Sequence, residues 1–397
     1  MSDMHQALPT QNMELNIGPS HPAMHGTVKV SVELDGETIV KSNTDVGYLH
    51  RGFEKMCENV TWAQCMPYTD RLNYVSPLLN NFAFCQAVEK LLEVEIPERA
   101  KYIRVIAAEI SRITDHMTCC AAMGMEVGGF TPFLYMIEGR DYLYDLVERL
   151  SGARVTVNYA RIGGVAHDLP EGFAEDCLAT LDKAFKLVDD GDKMLTHNRI
   201  FIDRMNGVGK VSAADAIDYG ITGPFLRSTG IDYDVRKAHP YDVYERMDFD
   251  IPVGDNGDCY DRWLVRLEEM RQSRRILEQA LKQIPPGTVL LDNPHFALPE
   301  KDQVYTRIEG LMNHFKLVIE GARVNPGEVY SFSEGGNGEL GFYIVSDGSG
   351  HPYKMRVRSP CFAMMQALDD ILLPGAMLSD VVPIFGSINM IGGECDR

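Results

Sequence analysis

No run of 18 or more apolar residues occurs in this chain of 397 residues, so no segment of it reads as a membrane span. Its first residues, Met1-Ser2-Asp3-Met4-His5-Gln6, have neither the basic nor the apolar part of a secretory leader, and a cytosolic location is expected. No GxxxxGK[ST] run is present, which removes the usual phosphate cradle. Gly207-Val208-Gly209 supplies GxG without a third glycine or a clear preceding strand, so a dinucleotide fingerprint is rejected. A G-x-S-x-G nucleophile elbow is absent too. None of the nine cysteines stands in CxxC spacing, which excludes an obvious zinc knuckle, redox dithiol or cluster-binding run. Their odd number in a cytosolic chain suits buried free thiols. Vicinal Cys119 and Cys120 fall on a predicted helix, where neighbours point apart. Positive charge is scarce: 38 Lys and Arg stand against 57 Asp and Glu, a formal net charge of −19. Such a surface repels nucleic acid and anionic headgroups, and suits either plain solubility or docking onto a basic partner.

What is present begins with a loop. Gly18-Pro19-Ser20-His21-Pro22-Ala23-Met24-His25-Gly26 places two imidazoles among glycines and prolines with no charged residue between them. Proline fixes φ and glycine permits tight bends, so the run reads as a rigid loop rather than helix or sheet. Its histidines are either proton donors, acceptors or metal ligands, or they simply bond backbone carbonyls. Strands are predicted over about 13–45, where Val28, Val30 and Val32 alternate with polar residues and Asp35-Gly36 marks a hairpin turn. From about 55 to 320 the pattern is helical. Pro97 opens a long helix whose seam is Ile103, Ile106, Ile110, Ile113, Met117 and Cys120, ending near Gly124. Thr131-Pro132 caps the next helix, which ends at Ser151-Gly152. A further helix carries Tyr260, Trp263, Leu267, Met270, Leu277 and Ile284. Strands return at about 328–332, 340–345 and 353–357, separated by Gly335-Gly336-Asn337-Gly338 and Asp347-Gly348-Ser349-Gly350. The expected fold is α+β: a helical bundle core, residues 55–322, flanked by small antiparallel sheets from an N-terminal strand and loop region, 1–54, and a C-terminal meander and helix, 323–397.

Several side chains could carry chemistry. Tyr74, three residues from Arg71 in a polar and aromatic segment, can donate a proton or a hydrogen bond, or it is an amphipathic tyrosine at a helix start. Glu126 lies in an apolar, glycine-rich stretch where a carboxylate needs a partner such as a loop histidine, unless it faces water at a helix end. His116 shares a helix side with Glu109 and Arg112, which suits an ion-paired stripe better than a ligand set. Arg51, beside His50, either contacts an anionic or electron-rich partner or sits idle at the surface.

Together these segments resemble one family. The run Gly18 to Gly26, Gly47-Tyr48-Leu49-His50-Arg51-Gly52-Phe53-Glu54, Asp70-Arg71-Leu72-Asn73-Tyr74 and Arg161-Ile162-Gly163-Gly164-Val165 are similar to the D-subunit family of bacterial complex I, the respiratory NADH:quinone oxidoreductase. So are Tyr233-Asp234-Val235-Arg236-Lys237, Gly338-Glu339-Leu340-Gly341 and Gly393-Glu394-Cys395-Asp396-Arg397, so that the likeness spans essentially the whole chain. That family is related to the large subunit of nickel–iron hydrogenases, whose metals are held by two cysteine pairs. Here His50-Arg51-Gly52-Phe53-Glu54 stands in place of one pair, and Cys395 alone remains near the other. One thiolate cannot build a four-thiolate dinuclear site, so the resemblance implies a metal cavity without its metal.

It further implies quinone reduction in that cavity, as part of a proton-translocating NADH dehydrogenase that this chain cannot form alone. No cofactor is expected on the chain itself; quinone is the substrate, and the iron–sulfur cluster belongs to a neighbouring, cluster-bearing B subunit. The C subunit, other peripheral-arm subunits and a membrane-arm subunit at the quinone entrance are the other expected partners. The expected location is the cytoplasmic face of the bacterial plasma membrane. By resemblance His25 binds one quinone carbonyl and Tyr74 the other, with His21 nearby. Glu126 stands where most relatives have the aspartate that orients the histidine. Arg51 matches an arginine near the partner's cluster, where a cation raises the reduction potential. Thr156 stands where many relatives have a histidine coupled to cluster reduction, so a weaker pH dependence of that potential is expected. Two other readings stay open: a metal-binding, hydrogenase-like enzyme using His21, His25, His50 and His116, and a cofactor-free scaffold subunit.

Overall fold

Glu98–Glu126 forms one helix of 29 residues through the middle of the molecule. The structure, a computed structural model, describes residues 11–22, 24, 26–373 and 375–397. The Ile103, Ile106, Ile110, Ile113, Met117 and Cys120 seam is buried as its spacing predicts. The helix continues past the expected stop at Gly124 to Glu126. Its polar face is buried as well, which periodicity alone does not reveal: Arg104, Glu109, Arg112, Asp115 and His116 are all enclosed. The reason is that helices Pro77–Leu92, Phe130–Ser151, Cys259–Gln283 and Val381–Ile388 all pack against it.

Charges removed from water need partners. Arg104 forks onto Glu89 at 2.9 and 2.6 Å. Arg112 meets Glu109 at 3.2 Å, and Arg236 spans Glu109 at 3.2 Å and Asp234 at 2.6 Å. Arg227 bonds Glu269 at 2.7 Å and Glu334 at 2.9 Å, and Glu269 reaches His116 at 2.8 Å. The ion-paired stripe expected around Glu109 and Arg112 is therefore real, but it is internal.

Phe130–Ser151 begins at Phe130 with Gly129 as its N-cap, two residues ahead of the expected Thr131 cap, and it ends at Gly152 with φ 82°. Strands β1 (Met13–Ile17), β2 (Lys29–Asp35) and β3 (Thr38–Asp45) form an antiparallel sheet in that order. Val30, Val32 and Leu34 point inward from β2. The hairpin pairs Asp35 with Thr38, so its tip is Gly36-Glu37 rather than Asp35-Gly36. A minimal hairpin of β4 (Ala160–Arg161) and β5 (Gly164–Val165) interrupts the expected helical region. It forms where Gly163 and Gly164 adopt φ of 92° and 154°, values a helix does not accommodate. At the far end β6 (Gly327–Glu334), β7 (Glu339–Ser346) and β8 (Lys354–Arg358) make the expected antiparallel meander. The fold is thus α+β, with helices at the core and small sheets from both ends. Two neighbouring helices stand apart: Lys301–Thr306 and Ile308–Ile319 have no buried residue, and Phe315 is 58% exposed. No helix among the described residues is long and apolar enough to cross a membrane.

Candidate functional site

The histidine loop enters this site from the amino end. At Gly18 (φ 94°) a β-carbon would collide with the Val28 carbonyl, and at Gly26 (φ 119°) it would press on the Met390 side chain. Only glycine fits both approaches. Between them, His21 is exposed, its carbonyl accepts from the Met24 N–H at 3.0 Å, and Met24 turns inward. His25 lies outside the described residues.

Met24 and Gly26 form part of the wall of a cavity of about 550 Å³, with Tyr74, Val155, Gly386 and Asn389 among the others. This volume suits a small organic ligand. Tyr74 stands in the wall 43% exposed. Partial burial raises its phenol pKa, the Cys361 thiol adds to the rise, and Arg51 opposes it. The phenol is therefore protonated at neutral pH and able to donate. A larger open cleft, about 860 Å³, lies elsewhere among Glu93, Lys101, His239 and Tyr241, and it holds none of the expected site residues.

Behind Tyr74 lies a buried polar chain. Asp115 accepts from Asn73 at 2.9 Å and from Ser76 at 2.6 Å through one oxygen, and from Asn389 at 2.8 Å through the other. Asn389 also donates to Asn337 at 2.6 Å, and the Asn337 amide lies 3.4 Å from Glu394. Glu394 accepts from the Cys361 thiol at 3.1 Å. Burial pushes the Glu394 carboxyl up to about 7, so it exchanges a proton near neutrality. Asp115, Asn337, Cys361, Asn389 and Glu394 escaped sequence reasoning as site components. Their partners come from distant segments, and only the closing Gly393-Glu394-Cys395-Asp396-Arg397 segment gave a local signal.

The C-terminal residues pin the Gly47–His50 turn. The Asp396 carboxylate accepts from the N–H groups of Gly47 at 2.9 Å and Leu49 at 2.7 Å, and His50 Nδ1 lies 2.7 Å from the Asp396 carbonyl. Arg51 is exposed and donates to the Arg71 carbonyl at 2.7 Å. The Arg71 guanidinium turns to the Pro67 carbonyl. Cys395 is buried, which pushes its thiol pKa up. The Glu126 carboxylate ends the long helix packed so tightly on Gly386 that a β-carbon there would overlap it. Thr156 is exposed, on the same loop as Val155.

Of the histidines named for a metal enzyme, His25 lies outside the described residues, and the others that the structure describes have separate partners or exposure. His116 is enclosed with Glu269, whereas His50 holds the Asp396 carbonyl at the surface. Among the described residues no group of three His, Cys, Asp or Glu side chains is arranged to hold a metal ion.

Comparison with known proteins identifies the family. Residues 126–397 match the model of the family described as respiratory-chain NADH dehydrogenase, 49 Kd subunit. The chain is 57% identical over 396 residues to the D subunit of NADH-quinone oxidoreductase of Myxococcus xanthus, covering all of this chain and 95% of that protein. It is 48% identical over 396 residues to the D subunit of Pelobacter propionicus, covering all of this chain and 98% of that protein. The C/D subunit of Bdellovibrio bacteriovorus is 53% identical over 385 residues, 97% of this chain and 69% of the relative. A match of this extent leaves one assignment: the chain belongs to the D-subunit family of NADH-quinone oxidoreductase, and it is a component of that oxidoreductase.

Proposed function

We propose that the cavity beside Tyr74 is where quinone is reduced, with electrons arriving from the iron–sulfur cluster of a neighbouring B subunit. The observation that carries the reading is the 550 Å³ space walled by segments from both chain ends, with the Tyr74 phenol, and that of Tyr144, in its wall. Reduction of a quinone to a quinol adds two electrons and two protons, and each carbonyl oxygen needs a donor in a site screened from water. Tyr74 serves one oxygen. His25 serves the other by family resemblance, with His21 nearby and Glu126 orienting the imidazole. Glu394, with its carboxyl pushed up to about 7, is a nearby buried group that can exchange protons at working pH. Arg51 lies toward the partner's cluster, where its charge favours the reduced form.

The chain holds no cofactor of its own in this reading. It sits peripherally on the cytoplasmic face of the membrane, against the B and C subunits and a membrane-arm subunit, and the whole complex couples the reaction to proton translocation. The C/D relative, which carries both names on one chain, supports the contact with the C subunit. Because Thr156 cannot titrate as a histidine does, a redox titration of the cluster across pH is expected to give less than a full one-proton slope; a full slope contradicts this part of the reading.

Replacing Tyr74 with Phe removes the donor and keeps the ring. In the assembled complex, NADH oxidation by a quinone analogue should fall about tenfold or more, while NADH oxidation by an artificial hydrophilic acceptor continues. Undiminished quinone reduction by Y74F overturns the assignment.

A further inference from the structure

Two segments flank the cavity on one side: the Asp70–Tyr74 stretch, which carries the phenol, and the 152–159 loop, which carries Val155. They are joined through one buried carboxyl group. Asp70 is 1% exposed, and its two oxygens lie 3.1 and 3.4 Å from the Asn158 N–H. We infer that Asp70 is a positioning residue, a clasp between these two segments whose state of ionisation sets how tightly the cavity holds quinone. This inference rests on the proposed quinone site and names a group that tunes it.

The surroundings of Asp70 offer two hydrogen-bonding arrangements. In the first, the carboxylate accepts from Asn158, and charge makes that bond shorter and stronger than a neutral one. In the second, the carboxyl is protonated and needs an acceptor for its own O–H. One is available. The Asn81 carboxamide, on the Pro77–Leu92 helix, hydrogen-bonds Asp70 in its charged form, and its Nδ2 donates to Thr69 at 2.8 Å, so it offers its oxygen to a protonated Asp70 by turning over. Its Oδ1 is buried without a hydrogen-bond partner among the described residues. A buried acceptor left unpaired is costly, and a protonated Asp70 relieves that cost by donating to it. The same proton weakens the hold on Asn158.

The charged groups facing Asp70 are few. Arg71, its chain neighbour, places Nη1 4.0 Å away, and Arg161 of β4 acts on it electrostatically. Among the described residues, the other elements packed against it contribute the neutral Asn81 side chain and the Asn158 backbone. Burial outweighs all four and pushes the carboxyl up to about 6. The exchange between the two arrangements therefore falls within the range over which the enzyme can be assayed. Arg161 also donates to the Asn158 carbonyl at 2.8 Å, so the loop stays tethered when Asp70 lets go. The effect is a looser wall rather than an unfolded one.

The test uses the assembled complex in membranes, with NADH and a short-chain benzoquinone analogue, from pH 5.5 to 8. For the parent complex, KM for the analogue should rise at least about threefold as pH falls from 7.5 to 5.5. Asp70→Asn still accepts from Asn158 but cannot titrate. As the neutral counterpart of the protonated carboxyl, it should show at pH 7.5 a KM at least about threefold above the parent's, and one that no longer changes with pH. Asp70→Ala, which removes the clasp, should raise KM about fivefold or more at every pH. An unaltered acid rise in D70N, or a parental KM in D70A, overturns the inference. If D70A does not assemble, the D70N profile alone decides. Y74F run alongside separates the two failures: an active Y74F sinks the quinone site itself, whereas an inactive Y74F with parental Asp70 variants sinks only the clasp.

Discussion

The charge state of single buried carboxyl groups connects this structure to measurement. Glu394 is 2% exposed, and burial lifts its carboxyl from the usual 4.5 to about 7. A raised carboxyl holds its proton more tightly in the fold than in the unfolded chain. Its contribution to stability is complete below about pH 4.5 and is lost as pH rises through about 7. Glu394→Gln should remove that loss. In urea unfolding of the chain, E394Q should gain on the parent by an amount on the order of 3 kcal/mol between pH 5 and pH 8. A constant difference between the two proteins would show that Glu394 does not titrate there. Tyr74 and Arg51 could be singled out from sequence because each lies in a short polar loop with little else to explain it. Glu394, Asp115 and Asn389 could not, since what makes each unusual is a partner more than 50 residues away. The same holds for Asp70, whose clasp on Asn158 spans 88 positions.

Between elements, packing distances decide what can change. The helix Val381–Ile388 presents Gly386 to the Glu126 carboxylate with no room for a methyl group. Gly386→Ala should leave the fold intact, because the far end of a glutamate can move. If Glu126 has the role proposed for it, quinone reduction should fall, as assayed by quinone-dependent NADH oxidation with assembly checked by native electrophoresis. The ion pairs on the central helix are less forgiving. Although burial alone would raise the Glu269 carboxyl, Arg227 and His116 hold it well below the usual carboxylate range. Arg227→Met leaves Glu269, Glu334 and Asp234 short of positive charge, and should cost roughly 3–5 kcal/mol in urea unfolding. The apolar seam of this helix and the strand meanders were legible as three–four and two-residue periods. That the charged face was also enclosed was not, because periodicity reports one helix and not what surrounds it. The β4–β5 hairpin was missed for a related reason: two glycines in a row outweighed the helical pattern around them.

The molecule as a whole is divided between a packed interior and the unpacked helix pair Lys301–Thr306 and Ile308–Ile319. Phe385 is fully buried, whereas Phe315 on the Ile308–Ile319 helix is 58% exposed. Truncation to alanine should therefore cost roughly 3–5 kcal/mol at Phe385 and less than about 0.5 kcal/mol at Phe315, read by urea unfolding of the two variants. Equal losses would mean that the helix is folded back on the chain in solution. The α+β architecture followed from the order of strand, helix and strand patterns, but the meeting of the two ends did not, since no local rule specifies which loops touch. That meeting has a consequence for biosynthesis. The Gly47–His50 turn is held by Asp396, almost 350 residues downstream. A nascent polypeptide leaving the ribosome has therefore long since displayed this turn before its clamp exists, and local segments must wait for the last codons to be read. Until then the hollow beside Tyr74 also lacks the side of its wall that Asn389, Met390 and Ile391 supply.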